Sequence, residues 1–199
     1  SQVDSSIGGK NGINTTFGKN LVGTFFQPDK VIIDPSVLKT LSKRELRSGY
    51  AEILKHALIK NKMLYYWLQN NYLNVINLKK NFISKAIIDS IKVKAFFVQK
   101  DEKENLINSS SRAMLNFGHT FGHALEALNN YDKKLTHGEA IAIGMSFAAK
   151  ISYKMNLISN NEYYNLIEHL KKVKLPYYDN RIKTNKLYNL MLSDKKNSD

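Results

Sequence analysis

Chemistry-bearing residues are few in this sequence: it has five histidines and no cysteine. Thiolate catalysis, disulfides and Cys-type zinc sites are therefore excluded, and any metal must sit on His, Asp or Glu. The stretch LNFGHTFGHALEAL, residues 115–128, sets His119 and His123 four apart. On a helix that spacing puts both imidazoles on one face, the geometry by which a helix offers two nitrogens to one zinc. The familiar form of that motif carries Glu directly after the first His, where this chain has Thr120. The pair therefore reads equally as two imidazoles hydrogen-bonded at a helix interface. His137 opens a second segment, HGEAIAIGM, at a helix start before an apolar run. Glu52 sits among apolar neighbours in GYAEILK, where burial costs several kcal/mol and demands a cation partner. That partner is either a metal ion or a lysine, Lys55 or Lys60. Two or three histidines plus one carboxylate make the ligand set of a catalytic zinc that keeps positions open for substrate oxygens. Lys94, Glu104, Arg112 and Asn116 lie near this set. Arg112 precedes Asn116 by four and His119 by seven, so one helical face would present a guanidinium fork, an amide and an imidazole. His169, in a polar segment, is expected at the surface, and His56 beside Glu52.

These residues need a scaffold, and 199 residues suffice for one sizeable domain or one domain plus part of another. Glycines cluster in residues 8–23 with Lys10, Lys19 and Asn20 among them, which reads as a loop whose backbone N–H groups approach phosphate or carboxylate. Residues 30–34, KVIID between Pro28 and Pro35, read as a strand, followed by a turn at 37–41. From Ser42 the texture is helical. Ser42 and Glu45 form a capping box opening a helix to residue 59, and further helical periodicity covers 62–73, 80–100, 112–129, 137–157, 160–173 and 184–193. Residues 105–111 form a polar loop. The boundary between an α/β piece, 1–41, and a helical piece, 42–199, falls near Leu41.

The net charge of +13 invites a nucleic-acid partner, but only four of the 30 basic residues are arginine and the lysines are scattered. No nucleic acid is expected. No apolar run reaches the eighteen or so residues of a membrane span, so no membrane partner is expected either. Cysteine-free composition fits a reducing compartment, and the expected location is cytoplasmic. The chain opens without an initiator Met in the middle of patterned sequence, which reads as an N-terminally truncated fragment.

Five ordered motifs resemble the signature set of the 3-dehydroquinate synthase family. They are DSSIGGKNGIN at 4–14, GKNLVG at 18–23 with Gln27-Pro28, GYAEILK at 49–55, LNFGHTFGHALE at 115–126 and HGEA at 137–140. The resemblance implies a mainly α chain. It would be the helical metal- and substrate-binding C-terminal domain of an α/β + α two-domain enzyme, with a small α/β remnant of the NAD-binding domain at its N-terminus. It implies conversion of 3-deoxy-D-arabino-heptulosonate 7-phosphate, a phosphorylated sugar acid, to 3-dehydroquinate and phosphate. The route is transient NAD-dependent oxidation, phosphate elimination, reduction and aldol closure. Carried over by motif, Glu52, His119 and His137 would hold Zn2+ or Co2+, leaving His123 to proton transfer with Glu104 as a second acid/base. Lys10 and Lys55 would also act in catalysis. Substrate contacts would come from Asp4, Lys10, Asn20, Lys55, Lys94, Arg112, Asn116, Lys195 and Lys196. Lys19 and the turn Val37, Leu38, Lys39 and Thr40 match positions that touch NAD. A homodimer is implied for the complete enzyme, and an isolated fragment lacking most of the NAD site is expected to be inactive. Two departures stand out: residues 105–111 are longer than the family's short glycine-containing link, and Asn11 stands where Thr is usual. The alternatives are a related cyclase acting on sedoheptulose 7-phosphate or glucose 6-phosphate, of 2-epi-5-epi-valiolone or 2-deoxy-scyllo-inosose synthase type, and an inactive helical fragment. Arg112 and Asn116, at substrate-binding positions, favour the carboxylated substrate.

Overall fold

The computed structural model describes residues 2–15, 18–129, 134–179 and 191, with 14–15 and 18–21 described by backbone alone. The glycine-rich start is not an open loop. It pairs as an antiparallel hairpin of β1 (Lys10–Thr15) and β2 (Gly18–Phe25), with Lys10 opposite Phe25 and Gly12 opposite Gly23. The strand expected at 30–34 is absent. Those residues form no regular element, Ile32 is 84% exposed, and Asp34 instead caps a 3₁₀ helix, Pro35–Thr40, by accepting from the Ser36 N–H. A β-branched run gives strand propensity, but a strand exists only with a neighbour to hydrogen-bond, and the β1–β2 pair is the only sheet among the described residues.

The helical reading holds. The structure has α1 (Lys43–Lys60), α2 (Lys62–Ile76), α3 (Lys80–Lys100), α4 (His119–Leu128), α5 (His137–Lys154) and α6 (Asn160–Val173). Among the described residues no helix is long and apolar enough to cross a membrane. Helix starts follow capping chemistry. Ser42 with Glu45, Thr136 with Glu139 and Ser159 with Glu162 each form a reciprocal capping box, contributing about 1 kcal/mol per cap. Asn61 closes α1 through its backbone N–H to the Ala57 carbonyl and caps α2 with its side chain, which accepts from the Leu64 N–H, so one residue sets that corner.

Helix α1 packs against α2, α3 and α5, while α5 also meets α4 and α6. All eight residues 50–57 of α1 are buried. Its apolar members Tyr50, Ala51, Ile53, Leu54 and Ala57 join Leu64, Leu68, Ile87, Ile141, Met145 and Leu170 in one core. Each large apolar side chain buried there contributes roughly 1.5–3 kcal/mol. A helix buried on every side also buries its polar residues, here Glu52, Lys55 and His56. That burial forces the site into being.

The predicted helix 112–129 is interrupted. Arg112–Asn116 is a 3₁₀ turn and α4 begins only at His119, because Gly118 adopts a left-handed backbone with φ +78°. A Cβ there would press on the Met145 backbone of α5 at 2.8 Å, so the break is fixed by both conformation and packing. Arg112 and Asn116 therefore do not share a helix face with His119, contrary to the spacing argument. The expected helix at 184–193 lies outside the described residues, except for Met191.

Candidate functional site

Three elements converge on Glu52. Helix α1 presents the carboxylate, the first residue of α4 presents His119, and the first residue of α5 presents His137. His137 Nε2 lies 3.2 Å from Glu52 Oε1 and His119 Nε2 lies 3.8 Å from the same oxygen. One ligand atom from each of the three falls within 4.8 Å of the others. The approach of α5 to α1 depends on Gly138, where a Cβ would overlap the Ser48 backbone. It is pinned by the Gly138 N–H donating to Ser48 Oγ (2.9 Å) and by Arg44 forking onto Glu139 at 2.7 and 2.6 Å.

Both alternatives for Glu52 meet here. Lys55 Nζ stands 2.5 Å from Oε2, while Lys60 lies elsewhere, 4.1 Å from the Phe96 ring centre. Yet among the described residues neither buried oxygen of Glu52 meets a donor in hydrogen-bond geometry. A carboxylate taken out of water and left so poorly satisfied fits a divalent cation. Burial alone would push the Glu52 carboxyl up, but Lys55, then His137 and His119, hold it well below the usual range. His119 is driven down from its ordinary value by burial and then by Lys55, so it is a neutral imidazole with a free lone pair. Burial also opposes charge on His137, but its hydrogen bond to Glu126 and the close Glu52 carboxylate together outweigh this and raise it to about 9. In the absence of metal a proton on His137 supplies positive charge between two carboxylates.

A second trio, His123, Glu126 and His137, also gathers within 4.8 Å. Its carboxylate already accepts from His137 Nδ1 at 3.1 Å, which leaves the Glu52 trio the better cation cradle. The His123 ring stands 5.2 Å from that of His119 and 6.2 Å from that of His137, beside the cradle.

Around this centre the structure assembles a charged network. Asp4 pairs with Lys94 and lies 3.8 Å from Lys55. Burial would raise the Asp4 carboxyl, but Lys55, Lys94 and His56 together outweigh it and the net shift is downward; burial lowers Lys94. Glu104 pairs with Lys10 and accepts from Asn116 Nδ2 at 3.0 Å, so the long link 105–111 does not carry it away from the site residues. Its own backbone is left-handed, φ +61°. Arg112 is buried and donates to the Gly8 and Glu102 carbonyls at 2.6 and 2.8 Å, joining the N-terminal turn to the end of α3. A cavity of 380 Å³ lined by Asp4, Leu38, Tyr50, Ile87, Glu52 and His137 opens beside the trio, so the turn holding Val37, Leu38, Lys39 and Thr40 borders it through Leu38. Lys19 and Asn20 lie on β2, with side chains outside the described residues, as are Lys195 and Lys196 altogether.

Two histidines differ in kind. His56 sits beside Glu52 and Asp4 as expected, with Nδ1 2.5 Å from Ser90 Oγ. His169 is not at the surface. It is 2% exposed and bonded to Tyr50 Oη at 2.9 Å, because α6 turns an apolar stripe of Leu166, Ile167, Leu170 and Val173 inward with it. Glu126 carried no role in the sequence reading. Its spacing of seven from His119 and three from His123 was the available signal, since all three share one face of α4.

A family model described as 3-dehydroquinate synthase C-terminal matches residues 49–197, and its N-terminal companion matches residues 1–48. The chain belongs to the 3-dehydroquinate synthase family. The family's two models meet inside α1, just before Tyr50 and Glu52. A 3-dehydroquinate synthase of Pelagibacter ubique is 47% identical over all of this chain and 54% of its own length. One of Agrobacterium fabrum is 52% identical over 88% of this chain and 46% of its own. The chain thus spans about half the length of the curated relatives it matches. Among solved structures, 2-epi-5-epi-valiolone synthase from Streptomyces hygroscopicus, with NAD+ and Zn2+ bound, has a TM-score of 0.88 at 25% identity, covering 96% of this chain and 52% of that one. A 2-deoxy-scyllo-inosose synthase complexed with carbaglucose-6-phosphate, NAD+ and Co2+ has a TM-score of 0.65 at 25% identity, covering 96% and 51%.

Proposed function

We propose that this chain is the metal- and substrate-binding region of a cytoplasmic, homodimeric 3-dehydroquinate synthase. On this reading residues 1–41 are the edge of its NAD-binding domain and residues 42–199 its helical domain. The observation that carries the reading is the Glu52, His119 and His137 cradle, with a lysine-rich network built against it, in a chain about half identical to relatives of that name. The substrate, 3-deoxy-D-arabino-heptulosonate 7-phosphate, brings a phosphate and a carboxylate. Charge balance then requires the cations that Lys10, Lys55, Lys94 and Arg112 supply, with Lys195 and Lys196 as further contacts. When bound at Glu52, His119 and His137, Zn2+ or Co2+ supplies Lewis acidity at a substrate hydroxyl, and NAD supplies a reversible hydride acceptor.

The chain's own residues do the remaining work. Lys55, salt-bridged to Glu52 and close to Asp4, holds an anionic substrate group at the cation cradle, while Asp4 orients Lys55 and Lys94 and accepts from a substrate hydroxyl. His123, one helical turn beyond His119, takes the proton from the carbon next to the transient ketone and passes it to the phosphate as its C–O bond breaks. Glu104 aligns Lys10 and Asn116 on the far side and acts as the second acid/base. Asn20 completes the substrate shell, and Lys19 with residues 37–40 borders NAD.

A related cyclase is the competing reading, since the structural neighbours are of that kind, but they are only 25% identical to this chain. A steady-state assay of the full-length gene product on the heptulosonate phosphate, sedoheptulose 7-phosphate and glucose 6-phosphate decides. Turnover of the first alone is expected, and no turnover of it sinks the assignment.

A further inference from the structure

The two imidazoles of the cradle reach Glu52 in the same way and are held from behind differently. Each turns Nε2 toward Glu52 Oε1. Behind them, His119 Nδ1 lies 3.3 Å from the Phe117 carbonyl, a backbone group fixed by the Gly118 break, and its side chain is only 9% exposed. Among the described residues His137 has no such backbone support. Its side chain is 43% exposed, and its Nδ1 lies 3.1 Å from Oε2 of Glu126, whose own side chain is 6% exposed.

We infer that Glu126 is a positioning residue for the metal-ligating edge of His137. It fixes the tautomer and ring angle that aim the Nε2 lone pair into the Glu52 cradle. An ionised carboxylate only accepts, so the shared hydrogen must sit on Nδ1. That leaves Nε2 as the ring nitrogen able to ligate, and the negative partner makes it a stronger donor. The placement comes from α4 itself: Glu126 lies two turns beyond His119 on the same face, so one rigid helix carries a ligand at its first residue and the brace for another ligand near its end. An ordered rotamer matters most for the more exposed histidine, which otherwise pays rotamer entropy on binding an ion.

This inference rests on the metal reading of the site, and the experiment separates the two. Zn2+ dissociation constants of the full chain are measured by competition with a chromophoric chelator for wild type, Glu126→Ala, Glu126→Asp and Glu126→Gln, alongside metal-free melting curves and the visible spectrum with Co2+. Loss of the brace weakens Zn2+ binding about 10–100-fold in Glu126→Ala, the range seen for carboxylates behind metal-bound histidines. Glu126→Asp, which keeps the charge but withdraws it, falls in the same direction. Glu126→Gln, whose amide oxygen still accepts from Nδ1, recovers part of the affinity, and the Co2+ bands move in the weakened variants. If Glu126→Ala fails to fold, the Asp and Gln variants carry the same comparison. Wild-type Zn2+ affinity in the folded variants, with only the melting temperature lowered, overturns the inference and leaves the metal site standing. Wild type that binds neither Zn2+ nor Co2+ overturns both.

Discussion

Tyr50 and Glu52 are two residues apart on α1 and face opposite ways into the same protein, and the two surroundings make different use of burial. On the Tyr50 side the phenol bonds to His169, and the Tyr65 and Tyr72 rings stand 6.0 Å from that imidazole. The imidazole there is neutral near pH 7, since burial, and then Lys172, brings His169 down to about 4. On the Glu52 side a carboxylate is also buried, but among the described residues its oxygens lack hydrogen-bond donors in good geometry and charges crowd around it. Burial therefore does not mark the functional face of α1. An unsatisfied and charged group does, because a fold keeps such a cost only where something is bound or transformed.

The largest expected effect breaks the Glu52 side alone. Glu52→Gln, His119→Ala and His137→Ala each remove a ligand from the cradle, so Zn2+ affinity should fall by more than about 100-fold, beyond what changes behind a ligand produce. His169→Gln, on the other face, should leave it unchanged. Metal content after gel filtration, measured by elemental analysis, checks both halves. Metal retained in Glu52→Gln would return Glu52 to the role of a plain partner for Lys55.

Next comes His123, which stands beside the cradle without belonging to the Glu52 trio. His123→Ala should keep its metal and lose about 10²–10⁴-fold in kcat, the range of a positioned acid/base. Metal lost along with rate would move the ion to the His123, Glu126 and His137 trio.

Much of this face was legible in the sequence because its signals are local. The capping box at Ser42, the spacing of His119 and His123, and Glu52 set among apolar residues all act within one or two turns. What was illegible depended on partners distant in the chain. KVIID has strand propensity but, among the described residues, no strand to pair with, so it forms no regular element. The Gly118 break depends on Met145 of α5 pressing against it, so Arg112 and His119 seemed to share a helix that does not exist. His169 lies in a polar segment, and only the docking of α6 on α5 and α2 reveals that it faces inward. Glu126 was visible in spacing, but its meaning required the N-terminus of α5 to arrive beside it.

The smallest effect sharpens the Tyr50 side and comes from acid. An unfolded histidine takes up a proton near 6.5, whereas His169 in the fold does so only at about 4. Above 6.5 both states are neutral and the residue adds no pH dependence. As pH falls from 6.5 toward 4, the unfolded chain gains the proton first, so the folded state loses stability, and the loss levels off below 4. At pH 4.5 that loss is about 2–3 kcal/mol, on about 1.4 kcal/mol per pKa unit. His56, also brought down to about 4 chiefly by burial and then by Lys55, adds a slope of the same sign. Denaturant unfolding of wild type and His169→Gln at pH 7.5 and 4.5 isolates the His169 share. The variant should start less stable, because Tyr50 keeps a weaker partner, and lose about 2–3 kcal/mol less on acidification. Equal losses in the two proteins would mean that the aromatic face carries no proton-linked stability and differs from the Glu52 face only in what it binds.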